Sequence, residues 1–266
     1  MKSPIRWAGS KRQMLDLLRR FWSGAGTYVE PFAGSACLFF DIEPRSAILG
    51  DTNGELVNSY RYLRDDPDSV IRVLRRLIPK KNSYYSVRSQ SPDDLPGAHA
   101  TARFLYLNRY CFNGLYRTNA RGEFNVPLGN PKGTPSLDEE TLRGASRLLR
   151  GANLMHADFE ATLAKATRGD FAYLDPPYVT SSRRVFSQYG ARSFDDRDLM
   201  RLEDSLNDLD RRGVLFAVTY SDCPEARRLL AKWKPRRWRA RRNIAGFAAH
   251  RRFSYELIAT NGTYPS

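Results

Sequence analysis

A chain of 266 residues that is 41% apolar has the material for a full buried core, either as one large domain or, as expected here, as a domain carrying a sizeable insertion. Lys and Arg outnumber Asp and Glu by 43 to 29, a formal charge of +14 that points to a polyanionic partner. No apolar run approaches the roughly 18–20 residues that span a bilayer, the opening MKSPIRWAGSKRQML has no apolar signal-peptide core, and Cys37, Cys111 and Cys223 are odd in number and widely spaced. These features argue against a membrane protein, a disulfide framework and a zinc site; no metal is expected, and the expected location is cytoplasmic.

In chain order, Met14, Leu17, Leu18, Phe21 and Trp22 recur at helical spacing and predict an amphipathic helix over residues 10–22 with Ser10 as its N-cap. TYVEPF and SAILGD read as short buried strands ending at Glu30 and Asp51. A helix beginning near Ser35 follows the first, and a helix from Asn53 with Leu56, Val57, Tyr60 and Leu63 on one face follows the second. From about Pro79 to Gly133 the alternation breaks in a stretch rich in Tyr, Asn, Arg and Gly, read as an inserted recognition subdomain over 79–133 within a main domain of 1–78 and 134–266.

Residues 138–150 then predict a helix with Leu142, Ala145, Leu148 and Leu149, and ANLMHAD and DFAYLD two more strands separated by a short helix. Leu199, Leu202, Leu206 and Leu209 mark a helix before the strand GVLFAVTY, and RRWRARRNI and RRFSYELIAT read as a closing strand pair. Eleven basic residues and no acidic one lie between Ala226 and Arg252, among them Arg242, Arg251 and Arg252, interleaved with Trp233, Trp238, Phe247 and Phe253, so part of this segment must pack into the fold. Strands alternating with helices predict an α/β fold with a mostly parallel, doubly wound sheet and a late antiparallel element. Glu30, Asp51, Asp158 and Asp175 fall at strand ends, and because ligands of such sheets bind outside the carboxyl ends of the strands, all four are expected to face one cleft.

YVEPFAGSACLFF has the strand, tight loop and helix of a nucleotide-binding unit, with Gly34 permitting close backbone approach. It has too few glycines for a dinucleotide fingerprint and lacks the end of a P-loop. Asp51 lies 21 residues beyond Glu30, where a strand-end acid accepts from a ribose diol, which favours an adenosine-bearing cofactor without phosphates. In YLDPPY, Pro176 and Pro177 hold the backbone rigid beside Asp175. A carboxylate and a backbone carbonyl can each accept one N–H of an exocyclic amino group, drawing its nitrogen toward tetrahedral geometry, and Tyr178 offers a face for a base extruded from its stack.

The motifs, in this order over nearly the whole chain, resemble those of the N6-adenine DNA methyltransferases of the Dam type, the alpha group of the D12 class, whose signature is D-P-P-Y. IRWAGSKRQML looks like the amino-terminal W-A-G-x-K segment, VEPFAGSACLFF like the cofactor loop, LGDTNGELVNSY like the ribose-binding segment, LYLNRYCFNGLYRTNARGEFNVPLG like the recognition motif and YLDPPY like the catalytic loop. The resemblance implies a Rossmann-like S-adenosylmethionine-dependent methyltransferase sheet with an inserted, mainly helical DNA-recognition subdomain bearing a β-hairpin. It implies S-adenosylmethionine as methyl donor, lined by Trp7, Lys11, Glu30, Phe32, Gly34, Asp51 and Asp158, with Asp175 shared between donor and base, and transfer to N6 of a flipped adenine in double-stranded DNA. Asp175, Pro176, Pro177 and Tyr178 then carry catalysis, while Phe112, Asn113, Leu115, Arg117, Asn119 and Arg121 face DNA; Arg and Asn are the side chains that read guanine and adenine edges. Duplex DNA is the implied partner, with no obligate protein partner, and a cognate restriction endonuclease is left open, as is the target site, for which G-A-T-C is the first guess.

On helix chemistry alone, Trp7 and Lys11 would be staple and first-turn charge, Asp51 a helix-start turn, and Asn113 and Asn119 turn formers, a reading expected to hold for one of the two. Three departures from the family pattern stand out: Ala36 where a second glycine is common, Tyr220 where relatives resemble S-N-S-D, and Asn130 at a variable position. A C5-cytosine methyltransferase would need a Pro-Cys nucleophile, and Cys223–Pro224 runs in the opposite order. A DNA-binding module without activity would have no use for Asp175 and the cofactor loop, and N4-cytosine methylation would use the same amino-group chemistry.

Overall fold

The computed structural model describes residues 1–130, 137–178, 194–241 and 253–265. Arg242, Phe247, Arg251 and Arg252, and with them the facing ends of the expected closing strand pair, lie outside the described residues.

In chain order the elements are α1 (Leu15–Leu18), β1 (Tyr28–Glu30), α2 (Cys37–Ile42), β2 (Ala47–Asp51), α3 (Gly54–Asp65), α4 (Pro67–Leu74), α5 (Lys81–Arg88), α6 (Gly97–Tyr110), α7 (Glu139–Leu149), β3 (Ala152–His156), α8 (Phe159–Leu163), β4 (Phe171–Leu174), α9 (Asp196–Arg212), β5 (Leu215–Ser221), α10 (Pro224–Leu229), β6 (Arg236–Arg241) and β7 (Phe253–Thr260). Among the described residues the strands form one seven-stranded sheet in the order β3-β2-β1-β4-β5-β7-β6. The first five are parallel; β7 runs antiparallel to both β5 and β6. This is the expected α/β, Rossmann-like arrangement with its late antiparallel element.

Every residue of β1 and β4 is buried, because helices cover both faces of the sheet, and central parallel strands therefore read as unbroken apolar runs. One face packs Tyr28, Leu49, Tyr173 and Ala217 against α1 to α4, α6 and α7; the other packs Val29, Ala172, Leu174 and Val218 against α8, α9 and α10. The chain leaves β1 for β2 on one side and returns as β4 on the other, so the crevice of the sheet opens at the carboxyl ends of β1 and β4. At their opposite ends Asp170 ties the two strands together, its oxygens accepting from the backbone N–H groups of Thr27 and Thr167 at 2.7 Å each. Burial pushes the Asp170 carboxyl up, but these donors prevail and hold it below the usual carboxylate range. Gly26 is required here: at φ +74° a Cβ would lie 2.2 Å from the carbonyl oxygen of Gly169.

The expected helix over residues 10–22 is instead a 3-10 turn (Arg12–Met14), one turn of α-helix and a second 3-10 turn (Arg19–Phe21). Ser10 does not cap it; its hydroxyl oxygen accepts from Ser35 at 3.1 Å. Met14 and Leu18 still face the core. The capped helices follow their sequence signals: Asn53 accepts from Leu56 N–H, Asp138 from Thr141 N–H, and Asp195 and Asp198 form a capping box at α9. α4 and α10, both with proline in the first turn, were not foreseen.

Between α4 and α7, α6 faces two ways. Ala102, Phe104 and Leu105 join the main core, whereas Tyr106, Leu107 and Tyr110 pack with Tyr84, Val87, Phe124 and Val126 in a separate small core. Beyond α6 the chain makes a 3-10 turn (Phe112–Gly114) and a short hairpin, with Thr118 bridged to Phe124.

Candidate active site

Lys11, which helix logic would leave on a surface, is buried and turned inward. Its Nζ donates to Asp175 Oδ1 at 2.5 Å, to Tyr178 Oη at 3.2 Å and to the carbonyl of Gly9 at 3.2 Å. Asp175, one residue past β4, also accepts from Thr219 Oγ1 of β5 at 2.9 Å. Tyr173 lies 3.0 Å from the same Thr219 oxygen; since the single threonine proton goes to Asp175, Tyr173 is the donor to Thr219. Lys11 and Thr219 both engage the same oxygen, Oδ1.

The prolines give the loop after Asp175 a fixed course, and side chains hold it from outside. The Tyr178 hydroxyl donates to Glu256 of β7, 2.9 and 3.0 Å from its two oxygens, and Tyr220 donates to the carbonyl of Pro177 at 3.3 Å. The Tyr178 and Tyr220 rings lie 5.3 Å apart. Tyr220, a departure from the family pattern, therefore braces the D-P-P-Y loop. Asp222 turns away and pairs with Arg227 and Arg237 at 2.6 and 2.7 Å, linking α10 to β6; the Arg227 hydrogen bond leads the effects that hold its carboxyl below the usual range.

Glu30 ends β1, buried, accepting from the Tyr28 hydroxyl at 2.9 Å. Burial pushes its carboxyl well above the usual range; the Tyr28 bond opposes this, and the nearby charges of Asp175 and Asp51 reinforce it. Asp51 ends β2 and accepts from Gly34 N–H and Asn53 N–H, each at 2.9 Å. Burial raises its carboxyl too, against those two donors. The helix-start turn and the strand-end acid are thus the same residue serving both readings. Gly34 has φ +46°, and a Cβ there would lie 2.6 Å from Trp7 Cδ1, so the absent side chain is what lets Trp7 lie on the loop. Trp7 in turn stacks on Tyr116 at 5.5 Å. Ala36 has the left-handed φ of 46° that favours glycine, and its methyl is fully buried. Phe32 stacks on Phe159 at 5.3 Å and meets Phe194 edge-on at 6.2 Å, an apolar wall beside the Glu30 strand end.

Asp158, the fourth strand-end acid, has two partners of its own. It is the N-cap of α8, accepting from Glu160 N–H, and pairs with Arg201 of α9 at 2.6 Å. Glu30, Asp51 and Asp175 meet at the crevice. Thr219 and Glu256 went unforeseen because each is a polar residue inside an apolar strand pattern, indistinguishable in sequence from an edge position.

Of the residues expected to face DNA, Phe112, Asn113, Asn119 and Arg121 are exposed and Arg117 and Leu115 half-buried. Asn119 builds the hairpin, its Oδ1 accepting from Arg121 N–H and Glu123 N–H, and Asn113 has φ 55°. The left-handed turn geometry, expected for one of the two asparagines, is found at Asn113 and not at Asn119, which shapes the turn through its side-chain oxygen. Gly122 is the hairpin turn residue at φ 81°. Arg117 Nε donates to Asn125 across the hairpin at 2.8 Å, which fixes the guanidinium.

Comparison with known proteins agrees with this geometry. The family model for the D12 class N6 adenine-specific DNA methyltransferases matches residues 7–244. The type II methyltransferase M1.LlaDCHI of Lactococcus lactis subsp. cremoris is 33% identical over 96% of this chain and 94% of its own length. The DNA adenine methylase of Serratia marcescens is 34% identical over 80% of this chain and 82% of its own, and that of Escherichia coli K12 30% identical over 96% and 93%. With the family model covering nearly the whole chain and these relatives matched over most of their own length, the chain belongs to the D12 class N6 adenine-specific DNA methyltransferases.

Proposed function

We propose that this enzyme transfers a methyl group from S-adenosylmethionine to N6 of an adenine flipped out of duplex DNA, with Asp175 and the backbone carbonyl of Pro176 as acceptors of the two amino N–H groups. The observation that carries this reading is the engagement of Asp175 Oδ1 by both Lys11 and Thr219, which leaves Oδ2 to meet the base. Two acceptors fixed before the substrate arrives draw the amino nitrogen out of conjugation and aim its lone pair; no covalent intermediate is needed. Tyr178, tethered at its hydroxyl, supplies the face on which the extruded base stacks.

The residues present fit an adenosine-type donor. Asp51 is pinned by two backbone donors at the end of β2, a carboxylate oriented to accept from a ribose diol. Phe32 with Phe159 forms a wall for a planar ring, and residues 30–36 hold no Lys or Arg for a phosphate. When bound, S-adenosylmethionine supplies an electrophilic methyl on a sulfonium centre. Trp7, Lys11, Glu30, Phe32, Gly34, Asp51 and Asp158 surround it in this reading; Asp158 would do so from the α8 N-cap, exchanging part of its pairing with Arg201.

The stretch 79–133 is the target-recognition unit in this reading, with its own small core, and presents Phe112, Asn113, Leu115, Arg117, Asn119 and Arg121 to DNA. The preorganised Arg117 reads a base edge, and Phe112 wedges against the stack. Among the described residues no helix is long and apolar enough to cross a membrane, and we assign the reaction to the cytoplasm, where prokaryotic DNA lies.

The test is transfer of labelled methyl from S-adenosylmethionine into PCR-amplified duplex DNA, with an RNA control and mass identification of the modified nucleoside. N6-methyladenine is expected. N4-methylcytosine would overturn the base assignment. Asp175→Ala is expected to abolish transfer and leave DNA binding within a few-fold; equal losses of both would make Asp175 structural.

A further inference from the structure

Glu256 is a buried carboxylate in the middle of β7, followed directly by Leu257, Ile258 and Ala259, all buried. It lies opposite Ser221 of β5 and Trp238 of β6, in a strand paired on both sides. Nothing about a strand in that position calls for an acid. Apolar residues of similar volume usually serve a protein interior as well as, or better than, a buried ion pair. Glu256 nevertheless spends both oxygens on the catalytic loop, 2.9 and 3.0 Å from the Tyr178 hydroxyl, and one of them lies 3.9 Å from Lys11 Nζ. The same Tyr178 oxygen accepts from Lys11, which donates to Asp175. The directions are forced: lysine can only donate, the phenol has one proton, and the carboxylate can only accept. A single polar path therefore runs from Asp175 through Lys11 and Tyr178 to Glu256, and its far end is anchored in a strand the D-P-P-Y motif does not include.

Building on the proposed function, we propose that Glu256 is a positioning residue for methyl transfer, setting the plane of the Tyr178 ring and keeping Lys11 between the two carboxylates. Without an acceptor for its proton, the Tyr178 hydroxyl loses the bond that ties it to β7, and the ring loses one of the contacts that set its plane beside Tyr220. Lys11, released from the second acid, loses its fixed distance to Asp175. The base would still reach the pocket but would meet acceptors and stacking face out of register, a loss of alignment rather than of binding.

The isosteric Glu256→Gln variant tests this, with Glu256→Ala, Tyr178→Phe and the Glu256→Gln/Tyr178→Phe pair, in single-turnover methyl transfer on PCR-amplified duplex DNA. Glu256→Gln is expected to slow transfer on the order of tenfold, and Glu256→Ala more, because the amide still accepts the Tyr178 proton. The double variant should be no slower than the slower single, since both cut the same path. Donor affinity and thermal midpoint should stay near those of the unsubstituted chain in Glu256→Gln. A wild-type rate in Glu256→Gln, rate losses that multiply in the double variant, or a parallel fall in rate, donor affinity and thermal midpoint would each overturn the positioning role. Absence of transfer by the unsubstituted chain would overturn the proposed function, and this role with it; transfer at a rate that Glu256→Gln matches overturns the role of Glu256 alone.

Discussion

Glu30 shows how a single residue can serve a site at the expense of the fold. Burial and the charges of Asp51 and Asp175 outweigh its bond from Tyr28 and keep its carboxyl well above the ordinary range. Below the ordinary carboxylate pKa neither the folded nor the unfolded chain carries this charge, and nothing is lost. As pH rises the unfolded chain ionises first, so the folded state is progressively disfavoured until the folded pKa is passed. Glu30→Gln is therefore expected to raise the thermal midpoint, more at pH 8 than at pH 5, and to weaken donor binding on the order of tenfold. A midpoint difference independent of pH, measured by calorimetry at both values, would show that the charge is not the cause. Glu30, Asp51 and Asp175 could be picked out in the sequence because a strand-end acid interrupts an apolar run. Thr219 and Glu256 could not, since a polar residue within a strand carries no mark of the direction it faces.

At the scale of elements, the parallel strands and capped helices were legible because pattern and cap chemistry agree there: Asn53, Asp138 and Asp195 each cap the helix their position predicts. The opening helix was not legible as built. Its apolar spacing is that of a continuous helix, but it is built as two 3-10 turns flanking one α-helical turn, with Lys11 just before them bonded to Asp175. Among the described residues four other than glycine have left-handed backbone: Asn113, in the 3-10 turn already described, and Ala36, Glu43 and Lys234. The Ala36 methyl is buried and the Glu43 carboxylate pairs with the terminal amine of Met1 at 2.7 Å, so glycine at either would forfeit a contact. Lys234, exposed after the 3-10 turn Ala231–Trp233, keeps its carbonyl bond from Tyr264 whatever its side chain. Lys234→Gly is expected to stabilise the fold by about 1 kcal/mol and raise the thermal midpoint by roughly 2–4 °C. An unchanged or lowered midpoint would mean that the lysine side chain contributes packing that offsets the strain.

For the whole molecule, the excess of basic charge is concentrated where the sheet ends. Arg236, Arg237, Trp238 and Arg239 of the edge strand β6 are exposed, with Arg236 stacked over Tyr264 and Arg237 over Tyr255 at 4.2 and 4.1 Å. Stacking orients these guanidinium groups at the surface, Arg237 while it is paired with Asp222. Duplex affinity should fall linearly in log salt, and Arg236→Gln, Arg237→Gln and Arg239→Gln together should reduce the slope by about 2–3, equally for all sequences. A slope unchanged in a fluorescence titration would turn β6 away from DNA.

The sheet order has one more consequence, for the chain during its synthesis. β7 is made after β6 but inserts between β5 and β6, so β6 has no place in the sheet until residues 253–260 have left the ribosome. Glu256 arrives with the same strand. A nascent chain that stops short of Phe253 therefore leaves the β5 ladder open and the Tyr178 hydroxyl without its acceptor. Closure of the sheet and delivery of Glu256 to the Tyr178 hydroxyl are therefore one event.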